Sequence, residues 1–181
     1  PAYIAAERGH EGVVRLLAEL GADVNTPMND GATPAFIAAE KGHTEVVRLL
    51  AELGANGDTP NNHGRTPAMR AAANGNVEVV RLLAELGANV ETPMNNGATP
   101  AYVAAQEGHV EAVRVLAELG ANVETPDNDG CTPVFAASYN VHVEMVRLLA
   151  ELGANVNTPV NDGYTPAWAA AAEGHAEGAR L

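Results

Sequence analysis

The chain has 181 residues, one cysteine and a formal net charge of −13, and 46% of its residues are hydrophobic. The acidic balance argues against nucleic acid binding, which requires a basic face, and no apolar run has the length of a membrane span or the pattern of a signal peptide. One cysteine excludes an internal disulfide and fits a reducing compartment, so we expect an intracellular, cytoplasmic protein that is not inserted in a membrane.

The dipeptide Thr-Pro recurs every 33 residues, and each occurrence predicts the start of a short helix. The threonine side chain can accept hydrogen bonds from the first free backbone N–H groups, and proline suits the first helical position because it has no N–H to leave unpaired. A fixed period of this length indicates stacked copies of one small unit. The dipeptides begin at Thr33, Thr66, Thr99, Thr132 and Thr165, and Pro1 is the same point one period earlier.

The period 34–66 shows how one unit is built. Its first helix is expected to end at Gly42, because glycine readily adopts the left-handed conformation that closes a helix. A second helix follows and ends at Gly54, and the polar run 57–65 has the composition of a turn. The second helix is predicted from the helical spacing of its apolar residues, which are Val46, Val47, Leu49, Leu50 and Leu53.

The repeated unit resembles the ankyrin repeat family, which has a 33-residue period and a Thr-Pro-Leu-His-x-Ala motif. The resemblance implies an all-α ankyrin-repeat solenoid of stacked helix-turn-helix units with projecting β-hairpin loops. It covers residues 1–181 as one array of five full periods and a partial one, and we expect this array to be an excerpt of a longer one. The residues that carry it in the second period are 33–39 (Thr-Pro-Ala-Phe-Ile-Ala-Ala), Gly42-His43, 45–50 (Glu-Val-Val-Arg-Leu-Leu) and 54–56 (Gly-Ala-Asn).

Three positions of the repeat depart from the family pattern or from the other units. Where the family usually has Leu-His, this chain has a small residue followed by Tyr3, Phe36, Met69, Tyr102, Phe135 or Trp168. Val141 replaces a helix-ending glycine, and since a β-branched residue with positive φ is costly, we expect Asn140 to be left-handed or the turn to be rebuilt. Gly57 replaces a valine of the other units, which predicts a soft joint between the second and third units or a glycine that is simply tolerated.

Histidine recurs at one repeat position, after the glycine that ends the first helix. Neighbouring units in a helix stack are about 8–10 Å apart, whereas zinc needs its ligands at about 2 Å, so these histidines are predicted to start the second helices rather than to share a metal. No catalytic triad or phosphate-binding loop appears either, and we predict a protein without cofactor or enzymatic activity. The residues are His10, His43, His109, His142 and His175.

The resemblance implies that consecutive loop tips and first helices form a concave surface that binds partners. Residues that differ between units on this surface form two predicted clusters, one of them a local basic window, and Arg and Tyr are frequent binding anchors. We therefore predict a scaffold that binds another protein, while a rod assembled end to end through apolar ends and an engineered consensus-like repeat protein remain alternatives. The predicted contact residues are His63, Arg65, Arg70 and Asn74 in the first cluster and Cys131, Tyr139 and Tyr164 in the second.

Overall fold

The computed structural model of the protein describes residues 1–172, which form pairs of short antiparallel helices joined by loops. Within this range the structure contains no β-strand, and no helix is both long and apolar enough to cross a membrane. His175 and the predicted second helix of the last unit lie outside the described residues. The helices are α1 (Ala2–Glu7), α2 (Glu11–Glu19), α3 (Pro34–Lys41), α4 (Thr44–Glu52), α5 (Pro67–Ala73), α6 (Val77–Glu85), α7 (Pro100–Gln106), α8 (Val110–Glu118), α9 (Pro133–Tyr139), α10 (Val143–Glu151) and α11 (Pro166–Ala172).

The predicted helix starts are confirmed. The hydroxyl oxygen of Thr33 accepts a hydrogen bond from the backbone N–H of Phe36 at 3.2 Å, and the following proline is the first residue of α3. The same bond occurs at each later Thr-Pro. Because each described unit after the first starts in this way, the first helices of the units, which are the odd-numbered ones, stand in register along the array.

One continuous apolar core runs through the described units, as a solenoid requires. Each first helix packs on the next first helix, and each second helix packs on the next second helix. Contacts between neighbouring first helices are more extensive than those between neighbouring second helices. The surface formed by the first helices and the adjacent loop tips is called the first-helix face. The predicted all-α solenoid is therefore confirmed.

The loops between units are tight turns that hold one another through a ladder of asparagines. In the first loop the backbone N–H of Met28 donates to the carbonyl oxygen of Ala32 at 2.9 Å, which closes a hairpin-like turn without strands. Asn62 in the next loop donates its side-chain N–H to the carbonyl oxygen of Asn29 at 3.1 Å. The same side-chain bond is repeated by Asn95, Asn128 and Asn161.

The recurring histidines also join neighbouring units. The ring Nε2 of His43 lies 3.0 Å from the carbonyl oxygen of Glu7, and that of His142 lies 3.0 Å from the carbonyl oxygen of Gln106. Because a carbonyl oxygen only accepts, Nε2 must donate in both bonds. His10, His43, His109 and His142 directly precede second helices, as predicted. The described residues contain no group of His, Cys, Asp or Glu that could hold a metal ion.

The turn at Val141 contradicts our expectation. Val141 itself has a φ of +59°, and Asn140 has φ −88° and ψ 5°. The prediction that Asn140 would be left-handed, or the turn rebuilt, is therefore wrong. The ordinary turn is kept, with bonds from the N–H of Val141 to the oxygen of Ser138 at 3.1 Å and from the N–H of His142 to the oxygen of Ala137 at 2.9 Å. Packing of this unit against its neighbours thus outweighs the local preference of valine.

Replacing Val141 by glycine is expected to raise the free energy of unfolding by about 1 kcal/mol. The left-handed conformation costs a residue with a Cβ about 1–2 kcal/mol, and the greater freedom of glycine in the unfolded chain offsets part of the gain. Urea denaturation followed by circular dichroism measures the change. Val141→Ala, which retains a Cβ at positive φ, should gain less; a Val141→Gly variant no more stable than the parent would contradict the strain at this turn.

Candidate functional site

A cleft of about 480 Å³ opens on the first-helix face between α5 and α7 and the loops that precede them. Three of the residues predicted from the sequence, Arg65, Arg70 and Asn74, line this cleft together. His63 is exposed at the neighbouring loop tip and is not part of the lining. The other lining residues are Met69, Ala73, Met94, Asn96, Ala98, Tyr102, Val103, Gln106 and Glu107.

Arg70 is paired with a carboxylate of the preceding unit. Its Nε lies 2.9 Å from Oε2 of Glu40, and both side chains are about three-quarters buried. The basic window predicted for this segment is therefore partly neutralised, since the acidic partner is contributed by α3. Asn74 donates its side-chain N–H to the carbonyl oxygen of Arg70 at 2.8 Å. This bond orients the side chain of Asn74 at the end of α5.

Arg65 differs from Arg70 in having no partner for its charge. Its backbone N–H donates to Oδ1 of Asn61 at 3.1 Å, and the residue is partly buried. Among the residues that the structure describes, nothing forms a hydrogen bond or an ion pair with its guanidinium group. A partly buried cation has lost some hydration without gaining a partner, and it is therefore well placed to bind an anionic group.

The lining of the cleft is mainly polar but includes an apolar part. Met69 and Tyr102 are buried, while Met94 and Val103 are partly exposed. Tyr102 occupies the position where the family usually has histidine. Burial, followed by the charge of Asp127 in the following loop, raises the pKa of Tyr102. Its buried ring contributes to the apolar part of the lining.

The three residues of the second predicted cluster have different surroundings. Cys131 packs against the small apolar cluster that contains Tyr102. Tyr164 stacks on Trp168, with ring centroids 3.9 Å apart and planes inclined by 26°, and both rings are nearly half exposed. Tyr139 is nearly half exposed at the end of α9. Sequence reasoning missed the role of Trp168, although the spacing of four residues between two aromatic side chains was a signal for this contact.

Burial and the nearby carboxylate of Asp127 both act on the thiol of Cys131. Oδ1 of Asp127 accepts from the backbone N–H groups of Asp129 at 3.0 Å and Cys131 at 2.9 Å. Burial, followed by the charges of Asp127 and Asp129, raises the pKa of the Cys131 thiol to about 11. The thiol is therefore protonated at neutral pH, and the stability associated with this shift is present below about pH 9 and is lost as the pH rises towards 11.

We expect Asp127→Asn to make Cys131 more reactive toward a thiol reagent at pH 8. Asn61 occupies the same repeat position, and its Oδ1 accepts from the N–H groups of His63 at 3.0 Å and Arg65 at 3.1 Å. An asparagine at position 127 therefore keeps the turn while removing the charge, so the pKa of the thiol should fall and more thiolate should be present. The rate of disulfide exchange with an aromatic disulfide reagent, measured from pH 7 to 10, tests this.

Asp23→Asn is the matched control, because Asp23 caps a loop of the first unit through the N–H of Asn25 and lies several units from the thiol. Its pH–rate profile should coincide with that of the parent protein. Coincidence of the Asp127→Asn profile with the parent would show that the charge of Asp127 does not hold the thiol protonated.

Comparison with known protein families agrees with this architecture. A family model described as ankyrin repeats (3 copies) matches residues 1–61, 56–127, 88–160 and 120–181, so that the matches together span the chain. The chain belongs to the ankyrin repeat family. No curated protein gives a significant match. The family predicted from the Thr-Pro period is therefore confirmed. The cleft lies between the first helices of two neighbouring ankyrin repeats.

Proposed function

We propose that this ankyrin repeat array is a non-catalytic scaffold that binds another protein through its first-helix face. Ankyrin repeats are generally protein–protein interaction modules. The observation that carries the proposal for this face is the cleft between α5 and α7, in which the charge of Arg65 has no partner. An intracellular location belongs to the same proposal and is supported by the single cysteine.

The contact surface that we propose extends from the cleft along the loop tips. Arg65, Arg70 and Asn74 line the cleft, and His63 lies beside it. Tyr139 and Tyr164 present nearly half of their surface in later units, which suits large side chains that anchor a partner. Cys131 would contribute through the apolar cluster that it shares with Tyr102.

Affinity capture with the intact array tests the proposal. Proteins retained by the parent array are compared with those retained by Arg65→Ala, Tyr139→Ala and Arg114→Ala. Arg114 is exposed on α8, on the opposite side, where it pairs with Glu111 at 3.5 Å. A specific partner should be lost with the first two variants and kept with the third. Equal retention by all three variants would contradict the proposed face.

A further inference from the structure

We infer that the cleft between α5 and α7 recognises an acidic side chain of the partner, Asp or Glu, next to an aliphatic residue. This inference rests on the proposed function and names the chemistry of the bound segment. It follows from the unpaired arginine of the cleft, from the hydrogen-bonding groups left open there, and from the apolar residues in its lining.

One cation of the cleft forms no ion pair. Two arginines and one carboxylate line the cleft. Arg70 is paired through its Nε with Glu40 of the preceding helix. The lining carboxylate, Glu107, is exposed at the end of α7 and receives a long bond of 3.5 Å from Gln106. Glu107 balances the charge of Arg65 within the cleft but does not pair with its guanidinium group, which is left open for a ligand.

The open donors match a carboxylate. The fork of an arginine guanidinium offers two parallel N–H groups to the two oxygens of a carboxylate, and all five N–H donors of Arg65 are unused by the described residues. The ion pair of Arg70 uses its Nε, so the two terminal nitrogens of that guanidinium also remain available. Two partly buried guanidinium groups in one cleft thus provide paired donors that a carboxylate can accept in a charge-assisted, bidentate way.

The rest of the lining selects against a small free anion. Met94 and Val103 expose part of their apolar surface to the cleft, above the buried Met69 and Tyr102. An aliphatic side chain beside the carboxylate would cover this surface, whereas an inorganic anion would leave it in water. A phosphate group would also carry more negative charge into a strongly acidic protein. A carboxylate on a peptide therefore fits the cleft best.

The probe for the test is a random peptide library displayed on phage and selected on the full array. Enriched peptides are synthesised with a fluorescent label, and their affinities are measured by fluorescence anisotropy. We expect enrichment of Asp or Glu adjacent to Leu, Ile or Val. Arg65→Ala in the array, and Glu→Gln in the peptide, should each weaken binding about tenfold or more, as expected when a charge-assisted hydrogen bond is lost.

A double-mutant cycle decides whether the two groups interact directly. If they pair, combining Arg65→Ala with the Glu→Gln peptide should weaken binding little more than either change alone. Arg65→Lys keeps the charge without the fork and should retain part of the affinity, while Arg114→Ala should leave it unchanged. Circular dichroism and the midpoint of thermal unfolding establish that each variant is folded.

Failure of this inference can be told apart from failure of the proposed function. Peptides whose binding depends on Tyr139 or Arg65 but is unaffected by removal of their carboxylates would overturn the acidic-segment inference and leave the first-helix face as the binding surface. Tighter binding on replacement of the peptide carboxylate by phosphoserine would overturn the choice of Asp or Glu. Peptides that bind equally to all folded variants would overturn both.

Discussion

Replacing Gly97 by alanine is expected to lower the free energy of unfolding by about 2–4 kcal/mol. Gly97 has a φ of +88°, and a Cβ built there would lie 2.5 Å from Oδ1 and 3.0 Å from the backbone nitrogen of Asn128 in the next loop. The conformation alone costs alanine about 1 kcal/mol. The remainder arises because the loop of Asn128 must move, which stretches its backbone bond of 2.9 Å to the oxygen of Asn96.

Gly120→Ala separates the two contributions. Gly120 has almost the same φ, +91°, but a Cβ there would meet nothing within 4 Å. We therefore expect Gly120→Ala to lower the free energy of unfolding by only about 1 kcal/mol. Urea denaturation of both variants, followed by circular dichroism, gives the difference that is due to the contact between loops. Equal losses for Gly97→Ala and Gly120→Ala would show that the loops do not pack as closely as the structure indicates.

The helices could be predicted because their signals are local and are repeated in every unit. The hydroxyl of Thr33, the ring of Pro34 and the glycine at position 42 act within a few residues of one another, so a single period is enough to place the helix. The apolar spacing of α4 similarly specifies the face that enters the core. Repetition then extends the prediction along the chain, because each unit is buried only by its neighbours.

The bonds between units could not be predicted in this way. The asparagine of each loop tip reads from the sequence as a turn residue, yet Asn62 also donates to the preceding loop. The partner of Arg70 is Glu40, 30 residues earlier, and no local pattern connects them. Predicting these contacts requires the relative position of neighbouring units, which the stacked helices determine.

At Val141 a prediction from local preference was wrong because packing between units opposes that preference. The intrinsic preference of valine predicts an altered turn, whereas the structure keeps the turn and places valine at positive φ. The strain at one residue is smaller than the combined packing of α9 and α10 against α7 and α8. Local propensity therefore predicts a repeat well where it agrees with stacking and poorly where it opposes stacking.

The two variants Gly57→Val and Val90→Gly are expected to change stability in opposite directions. Gly57 borders a groove of about 340 Å³ beside Leu83, where the equivalent valine of the next unit, Val90, is 8% exposed. Gly57 is not among the residues with positive φ, and a Cβ there would lie 3.4 Å from Leu83, an ordinary contact. Filling the groove should stabilise the array by about 2 kcal/mol, from buried area and reduced freedom of the unfolded chain.

Val90→Gly should lower the free energy of unfolding by about 3 kcal/mol. The change removes a buried side chain, leaves a cavity and increases the conformational entropy of the unfolded chain. The double variant Gly57→Val/Val90→Gly conserves composition. If the predicted soft joint exists, this variant should move it from between the second and third units to between the third and fourth. Amide hydrogen exchange locates the region that opens most easily. The N–H of Ala55, which donates to the carbonyl oxygen of Leu50, should exchange more slowly in the double variant than in the parent. The N–H of Ala88, which donates to the carbonyl oxygen of Leu83, should exchange faster. An unchanged exchange pattern would mean that position 57 does not determine where the array opens, even though its valine is missing.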